Sequence, residues 1–287
     1  MKPIDLHVHS NKSDGSNTPK ELVQLAIAKG LSAFALTDHD TVDGIDDALS
    51  YAARLRTDGV ENVPEVIPGI ELSTEYHGKD IHLVGLYIDH LAPAFCSQLK
   101  HFVDSRIERN RKMCANLAEA GIDISYEKLV EAFPESVLTR AHYAVYLVNH
   151  GYSLSKEDAF SQYLGDHTKY FVPREKITPE MGVELILQAG GVPILAHPVL
   201  YRISDARLDE LVSRLKEAGL VGIEAIYATY NQAEKRQMRK LAAKYDLCIS
   251  GGSDYHGEAK PGLEMGTGYG KLFVPEDLLW KLRQYRK

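Results

Sequence analysis

The 287-residue chain has few cysteines and no long hydrophobic run, and each shortage excludes a class of protein. Cys96, Cys114 and Cys248 are odd in number and widely spaced, so neither a disulfide framework nor a zinc–thiolate site is expected. No run of about 18 apolar residues occurs, which excludes a transmembrane helix. An apolar strand begins almost at the N-terminus and leaves no room for a signal peptide. We therefore expect a cytoplasmic protein that does not bind membranes.

Excess positive charge is also missing, since the formal net charge is −7. That balance argues against binding of long duplex nucleic acid, which depends on many lysine and arginine contacts to phosphates. A nucleotide, a phosphorylated small molecule or a short RNA stays compatible with it, because bound cations would supply local positive charge. With 44% hydrophobic residues, the chain can bury a substantial core.

The first informative pattern is the N-terminal segment, where the apolar residues of 4–8 alternate with Asp5, His7 and His9. This period of two predicts a strand with one buried face, so both imidazoles point the same way. Two histidines in that relation can reach one metal ion, with nitrogen-to-zinc distances of about 2.0–2.1 Å. An HxH pair alone is weak evidence, since histidines often serve as core or surface residues.

The pattern recurs, because short apolar runs repeatedly end in, or carry, an imidazole or a carboxylate. Unpaired charged groups at such buried positions would be costly, so packing alone does not explain the repetition. We interpret the nine residues as one multi-metal site of a hydrolase. The candidate metal ligands are His7, His9, Asp14, His39, Glu71, His82, His197, Asp254 and His256.

Amphipathic stretches separate these runs and carry clear helix signals. Thr18-Pro19 with Glu21, and Thr178-Pro179, provide N-caps and a first-turn proline. The alternation of strand and helix predicts a parallel sheet, and further helices are expected at 41–56, 205–218, 231–245 and 275–285. Because ligands come from both the first and the last strand, a closed or distorted barrel fits better than a doubly wound sheet.

Residues 92–168 break the alternation and predict an inserted helical subdomain, leaving 1–91 and 169–287 for the barrel. Its helices are expected near 94–120, 125–133, 139–150 and 155–164. The first of them carries a basic cluster formed by Arg106, Arg109, Arg111 and Lys112. We interpret the cluster mainly as a solvated face, with attraction of an anionic substrate as the alternative.

The motifs together resemble the PHP (polymerase and histidinol phosphatase) family of metal-dependent phosphoesterases, from residue 5 to about residue 270. The segments that carry the resemblance are Asp5-Leu6-His7-Val8-His9-Ser10, Ser13-Asp14-Gly15, Thr37-Asp38-His39-Asp40, Gly69-Ile70-Glu71-Leu72-Ser73, Ala196-His197-Pro198 and Gly252-Ser253-Asp254-Tyr255-His256-Gly257. Within the insert, Thr139-Arg140-Ala141-His142 and Val172-Pro173-Arg174 resemble a subgroup that acts on 3′,5′-bisphosphate nucleotides and short 5′-phosphorylated RNA.

The resemblance implies a distorted (β/α)7 barrel that holds two or three divalent ions, of manganese, zinc or iron. It implies that the first metal position is held by His7, His9, Glu71 and Asp254. It implies that Glu71 bridges to a second position with His82 and His197, and that a third is held by Asp14, His39 and His256. Tyr76 replaces a tryptophan often found in the family, which leaves stacking of a base unassigned.

The resemblance also implies roles for individual residues. Glu71, Asp254 and His256 are the candidate catalytic residues, and Arg140, His142 and Arg174 are the candidate substrate contacts. His142 could equally cap a turn. Tyr227, Tyr230 and Asn231 could line the pocket or only pack at its rim. Asp38 and Asp40 are interpreted as partners that orient the imidazole of His39.

The expected function is hydrolysis of phosphate esters in nucleotides or short 5′-phosphorylated oligoribonucleotides by a metal-activated hydroxide. Histidinol phosphate hydrolysis is the competing interpretation within the same reaction class. From other classes, an amidohydrolase-like C–N hydrolase and a non-catalytic metal- or phosphate-binding module stay open.

Overall fold

The computed structural model describes residues 2–134, 136–173 and 177–286, and its strands form one sheet that curves into a nearly closed barrel. The strands are β1 Pro3–Val8, β2 Ala33–Leu36, β3 Glu65–Tyr76, β4 Lys79–Leu86, β5 Val192–Leu195, β6 Gly222–Tyr227, β7 Cys248–Gly252 and β8 Val274–Pro275. Their spatial order is β7-β6-β5-β4-β3-β2-β1-β8. The barrel closes where the Asp254 amide donates to the His7 carbonyl and the His9 amide to the Tyr255 carbonyl, both at 2.9 Å. The predicted distorted barrel is confirmed.

Strand β4 departs from the all-parallel sheet that the alternation of elements predicts. It pairs antiparallel with both β3 and β5, whereas the neighbouring pairs from β1 to β3 and from β5 to β7 are parallel. The reason is a two-residue turn at His77 and Gly78, whose φ angles of 49° and 75° suit the tight turn of a hairpin. Because of this reversal, β4 begins at the end of the barrel where the parallel strands finish, and His82 lies there.

The helices are α1 Pro19–Ala28, α2 Ile45–Thr57, α3 Pro93–Glu119, α4 Tyr126–Ala132, α5 Arg140–Asn149, α6 Lys156–Ala159, α7 Pro179–Gln188, α8 Asp205–Ala218, α9 Gln232–Lys244 and α10 Asp277–Arg283. The side chains of Thr18 and Thr178 cap α1 and α7, as the Thr-Pro pairs predict. Apolar residues of α1, α2, α7, α8 and α9 pack with strand residues in the largest core cluster. Among the described residues, no helix is both long and apolar enough to cross a membrane.

Helices α3 to α6 form the predicted helical insert, which continues as a π-helix over Phe160–Leu164. They pack around a hydrophobic cluster of their own that includes Met113, Leu129 and Tyr143. Since the insert buries its own apolar residues, it can hold a fixed shape beside the barrel. The domain boundaries at residues 92 and 168 stay a prediction.

The basic cluster on α3 is divided by the helical period. Arg106 and Arg109 are buried and 6% and 8% exposed, whereas Arg111 and Lys112 are exposed. The Arg106 guanidinium forms an ion pair with Asp40 and donates to the Ser73 hydroxyl at 3.3 Å. The interpretation of the whole cluster as a solvated face is therefore wrong for Arg106 and Arg109, which face the barrel.

Two irregularities in the strands redirect side chains near the barrel mouth. Strand β1 has an extra residue relative to β2 between Asp5 and Val8, and β6 has one relative to β7 between Glu224 and Ile226. Such bulges bend a strand and aim a side chain differently from the regular alternation. Asp5 therefore does not join the two β1 histidines. Its carboxylate instead accepts hydrogen bonds from Ser253 and Gly266.

Candidate metal centre

All nine candidate ligands lie at one end of the barrel. The parallel strands deliver most of them at or after their carboxyl ends, Glu71 lies in β3 beyond the part that pairs with β2, and the reversed β4 delivers His82 near its start. Three groups of their ligand atoms each lie within 4.8 Å of one another. The groups are His7, His9, Glu71 and Asp254; His39, Glu71 and His82; and His9, Asp14, His39 and His256. The structure thus brings together residues that are up to 249 positions apart, from His7 to His256.

The first group has the composition that the family resemblance implies. Glu71 Oε2 lies 3.2 Å from Nε2 of both His7 and His9. Asp254 Oδ1 lies 3.6 Å and 3.3 Å from the same two nitrogens. Two imidazoles and two carboxylates therefore converge on one point from β1, β3 and the segment after β7, an arrangement suited to a divalent cation.

Glu71 connects this group to the next one through its other oxygen. Its Oε1 lies 2.9 Å from His82 Nδ1 and 2.9 Å from His197 Nε2, while Oε2 lies 3.2 Å from His39 Nδ1. A carboxylate with both oxygens surrounded by imidazoles is placed to bridge two ions. His39 also takes part here, in addition to the third position that the resemblance gives it.

The third group gathers around Asp14, in the loop after β1. Asp14 Oδ1 lies 3.2 Å from His256 Nε2 and 3.8 Å from His9 Nδ1, and Asp14 Oδ2 lies 3.8 Å from His39 Nε2. The His256 Nδ1–H donates to the Asp254 carbonyl at 2.9 Å. That hydrogen bond leaves Nε2 of His256 as the nitrogen that faces the group.

The electrostatics favour positive charge between these carboxylates. Burial lowers the pKa of His7, but Glu71, Glu224 and Asp254 outweigh it and raise that pKa well above the ordinary histidine value. Burial also lowers the pKa of His9, yet its contacts with Asp254 and Glu71 raise it to about 9. Burial raises the pKa of Glu71, but the surrounding imidazoles outweigh burial and hold that pKa well below the usual range. A bound cation would supply the same positive charge.

His39 differs from these two, because burial lowers its pKa well below the ordinary histidine value despite nearby Glu71 and Asp14. A neutral imidazole is the form that binds metal. The cluster thus contains both an imidazole that is neutral and carboxylates that are charged.

Several buried polar atoms in the cluster lack a hydrogen-bond partner among the described residues. Most buried polar atoms in proteins are hydrogen-bonded, so a group of exceptions requires an explanation. Metal coordination explains these exceptions, since each of these atoms can act as a metal ligand and lies close to other candidate ligand atoms. They are His7 Nε2, His9 Nε2, His39 Nδ1 and Asp14 Oδ1.

Close contact of β1 with β7 requires a glycine at position 252. A Cβ atom there would lie 2.4 Å from the His7 Cβ and 2.7 Å from the His7 backbone nitrogen.

Two of the candidate ligands have strained backbone, since the φ angle is 57° at Asp254 and 27° at His197. Such strained backbone in non-glycine residues is concentrated at functional sites.

Glu224 is a residue of the site that the sequence interpretation missed. It lies in β6 and is 1% exposed. Its carboxylate accepts a hydrogen bond from His7 Nδ1–H at 3.0 Å and another from the His197 backbone amide at 2.7 Å. The available signal was a single charged residue within the apolar segment Gly222–Tyr227, where an unpaired carboxylate would be costly.

Glu224→Gln is expected to weaken metal binding by about 10- to 100-fold, because the carboxylate fixes the ring orientation and tautomer of His7. Titration of the purified variant with Mn²⁺ or Zn²⁺ by calorimetry measures this. Glu217→Gln, which changes an exposed glutamate on α8, is the matched control. Equal metal affinities of wild type and Glu224→Gln would contradict the orienting role.

Asp254 is held by two residues on the side away from the histidines. Its Oδ2 accepts hydrogen bonds from the Tyr227 hydroxyl and from Lys260 Nζ, both at 2.6 Å. Tyr227 therefore supports a ligand, whereas Tyr230 bonds to the backbone of Val199. Lys260 carried no signal in the sequence, because it follows the last motif in an irregular segment.

The described contacts of Asp38 and Asp40 are with groups other than the His39 imidazole, so their role in orienting that ring stays a prediction. Asp38 accepts hydrogen bonds from the Ser10 and Ser13 hydroxyls, both at 2.6 Å, and so fixes the loop after β1. Asp40 accepts from the Ser73 amide at 2.8 Å and pairs with Arg106. Each aspartate stabilises backbone segments around the site, because loop amides and hydroxyls reach its carboxylate. Asn231 likewise has a structural role, as the N-cap of α9.

A cavity of about 430 Å³ adjoins the metal centre, within the usual size range of small-molecule sites. Asp14, His39 and His82 form its wall on the barrel side. The insert contributes Arg106, Arg109, Thr139, Arg140 and Phe160, and Phe171 lines the cavity from the segment that follows the insert. The cavity therefore lies between the metal centre and residues of the insert.

The candidate substrate contacts are placed differently from one another. Arg140 lines the cavity, where it pairs with Asp80 at 3.0 Å and with Asp166. His142 is buried, and its Nδ1 accepts a hydrogen bond from the Thr139 amide at 2.9 Å, which is the capping role considered for it. Arg174 lies outside the described residues.

Comparison with known proteins places this geometry in context. The sequence model of the PHP domain family matches residues 5–256. The chain is 36% identical over 255 residues to a 5′-3′ exoribonuclease of Haemophilus influenzae. The aligned region covers 89% of this chain and 90% of that relative. It is 32% identical over 268 residues to a 3′,5′-nucleoside bisphosphate phosphatase of Chromobacterium violaceum, with coverages of 93% and 91%.

A solved structure from Chromobacterium violaceum, named an amidohydrolase and containing bound sulfate and no metal, superposes with a TM-score of 0.85. It is 31% identical to this chain, and the match covers 97% of this chain and 96% of the other.

Proposed function

We propose that this chain, which belongs to the PHP domain family, hydrolyses phosphate esters of nucleotides or of short 5′-phosphorylated oligoribonucleotides as a metal-dependent phosphoesterase. The observation that carries the proposal is the convergence of nine imidazole and carboxylate side chains, eight in the three groups and His197 against Glu71, beside an arginine-lined cavity. The names of the two curated relatives, an exoribonuclease and a nucleoside bisphosphate phosphatase, support the same reaction class.

We assign two or three divalent ions, of manganese, zinc or iron, to the three groups of ligands. When bound, such ions lower the pKa of water and screen the charge of a phosphate group. Mixed imidazole and carboxylate donors suit all three metals. Glu71 is the proposed bridge and Asp254 the proposed anchor of the first position, while Tyr227 and Lys260 hold Asp254 in place.

Within the cavity, Arg140 is the proposed phosphate contact. Its guanidinium group can form two parallel hydrogen bonds to a phosphate, in competition with the carboxylates of Asp80 and Asp166. The buried Arg106 and Arg109 add positive charge to the same wall. The structure supports a substrate contact by His142 less than one by Arg140, since Nδ1 of His142 is used in helix capping. A substrate contact by Arg174 stays a prediction from the sequence.

His256 is the third proposed catalytic residue. Its Nδ1–H is held by the Asp254 carbonyl, and its Nε2 faces Asp14 at 3.2 Å. This nitrogen is therefore placed to bind an ion. It could give a proton to the leaving group only from the doubly protonated ring, which burial disfavours because it lowers the pKa of His256.

The size of the cavity supports a short substrate over a long duplex. A volume of about 430 Å³ suits one nucleotide, and the insert forms one wall.

We also propose a reducing, cytoplasmic location, because Cys96, Cys114 and Cys248 are all free thiols.

A substrate panel tests the proposal. The metal-loaded protein is expected to hydrolyse adenosine 3′,5′-bisphosphate or a 5′-phosphorylated trinucleotide with a kcat/KM at least about 100-fold above that for histidinol phosphate, because only the nucleotides fill the cavity. An N-acyl amino acid in the same panel tests C–N hydrolysis, which the name of the sulfate-containing relative raises. Preference for histidinol phosphate or for the amide would overturn the proposed function.

A further inference from the structure

Two phenyl rings and a guanidinium group meet on the insert side of the cavity. The Arg140 guanidinium carbon lies 5.3 Å from the ring centre of Phe171 and 5.9 Å from that of Phe160. All three side chains line the cavity that His39 and His82 also line. Aromatic rings and a guanidinium group that line a cavity can pack against a flat ligand such as a nucleobase.

Phe171 and its two neighbours contact different parts of the molecule. Its neighbours Tyr170 and Val172 pack against the hydrophobic cluster of the insert. Phe171 itself lines the cavity and is only half-buried. Tyr170 and Val172 therefore have a packing role against the insert, whereas the ring of Phe171 is open to a ligand in the cavity.

Phe160 has an independent structural mark. It begins the π-helix Phe160–Leu164, and the Leu164 carbonyl accepts a hydrogen bond from Arg140 at 3.2 Å. A π-helical turn is rare and is found frequently at functional sites. Here the turn places a phenyl ring and the acceptor for Arg140 at the same wall.

Tyr76 does not supply an aromatic face to this cavity. It lies in the main hydrophobic core, is 5% exposed, and is covered by the Arg214 guanidinium at 5.5 Å. A base therefore cannot stack on it without displacing core packing.

The geometry points to a nucleobase site formed by the rings of Phe160 and Phe171, in which the base of the substrate stacks while its phosphate groups lie between the metal centre and the neighbouring Arg140. This inference rests on the proposed function and assigns the recognition of the base to Phe160 of the insert and to Phe171 of the segment after it. Nucleotides with any base would bind, because stacking on a phenyl ring does not depend on the hydrogen-bonding edge.

Phe171→Ala tests the site with two substrates. Adenosine 3′,5′-bisphosphate carries the base, whereas 1,2-dideoxyribose 3,5-bisphosphate has both phosphates and no base. Loss of stacking is expected to raise KM for the nucleotide by about 5- to 100-fold and to leave the base-free compound unaffected. Phe171→Trp should retain the wild-type KM. Phe273→Ala, which removes a half-exposed phenyl ring before β8, is the matched control.

An equal effect of Phe171→Ala on both substrates, or none on either, would overturn the site while leaving the proposed function intact. A binding assay further separates the test of the base site from the test of the proposed function. The fluorescence of 2-aminopurine riboside 5′-monophosphate should be quenched by the wild-type protein and much less by Phe171→Ala, whether or not hydrolysis occurs. Absence of quenching by the wild type would overturn the base site.

Discussion

Replacing Glu71 with glutamine is expected to lower kcat/KM by at least about 10³-fold, beyond the 10- to 100-fold typical of residues that only orient a ligand. Glutamine keeps the shape of the side chain but removes the charge that faces His7, His9, His39, His82 and His197. Because both oxygens of Glu71 contact imidazoles, the change affects two ligand groups at once. The measured metal content should fall together with the activity.

Metal content is the measurement that separates loss of the centre from loss of the fold. Glu71→Gln should have a far-ultraviolet circular dichroism spectrum like that of the wild type, with fewer metal ions per chain by elemental analysis. The exposed Glu61→Gln serves as the matched control and should retain both metal and activity. Full metal content together with unchanged kcat/KM in Glu71→Gln would show that the bridge does not exist.

The sequence predicts the placement of the site well where a ligand follows a regular element. Thr18 and Thr178 mark helix starts through local hydrogen bonds, so α1 and α7 can be located from the sequence alone. His39 and His197 follow short apolar strands, and parallel strands in a barrel bring such ends together. These signals are local. Closure of the barrel then brings the marked strand ends together.

Where long-range contacts decide, the sequence gives little. Arg106 and Arg109 look like surface residues of an amphipathic helix, and only the docking of α3 on the barrel buries them. Glu224 looks like an isolated charge until β6 is seen next to the histidines. Asp5 alternates with His7 in the sequence, and a bulge separates their directions in the structure.

Removal of metal is expected to abolish hydrolysis and to lower the melting temperature. Ions that bind only the folded protein stabilise it by about 2.7 kcal/mol at a free concentration one hundred times Kd, which corresponds to roughly 5 °C for a domain of this size. Treatment with a chelator followed by gel filtration should therefore give protein with no activity and a lower Tm. Addition of Mn²⁺, Zn²⁺ or Fe²⁺ one at a time should restore both.

The ion that restores the highest kcat at the lowest free concentration is the most effective activator, which ligand chemistry does not decide because the donor set suits all three. Glu71→Gln provides the control for the thermal shift, because a variant without the bridging carboxylate should gain much less stability from the same ions. Chelated protein that still cleaves its substrate at the full rate would refute metal dependence, and the cluster around Glu71 would then be an ion-pair network of imidazoles and carboxylates.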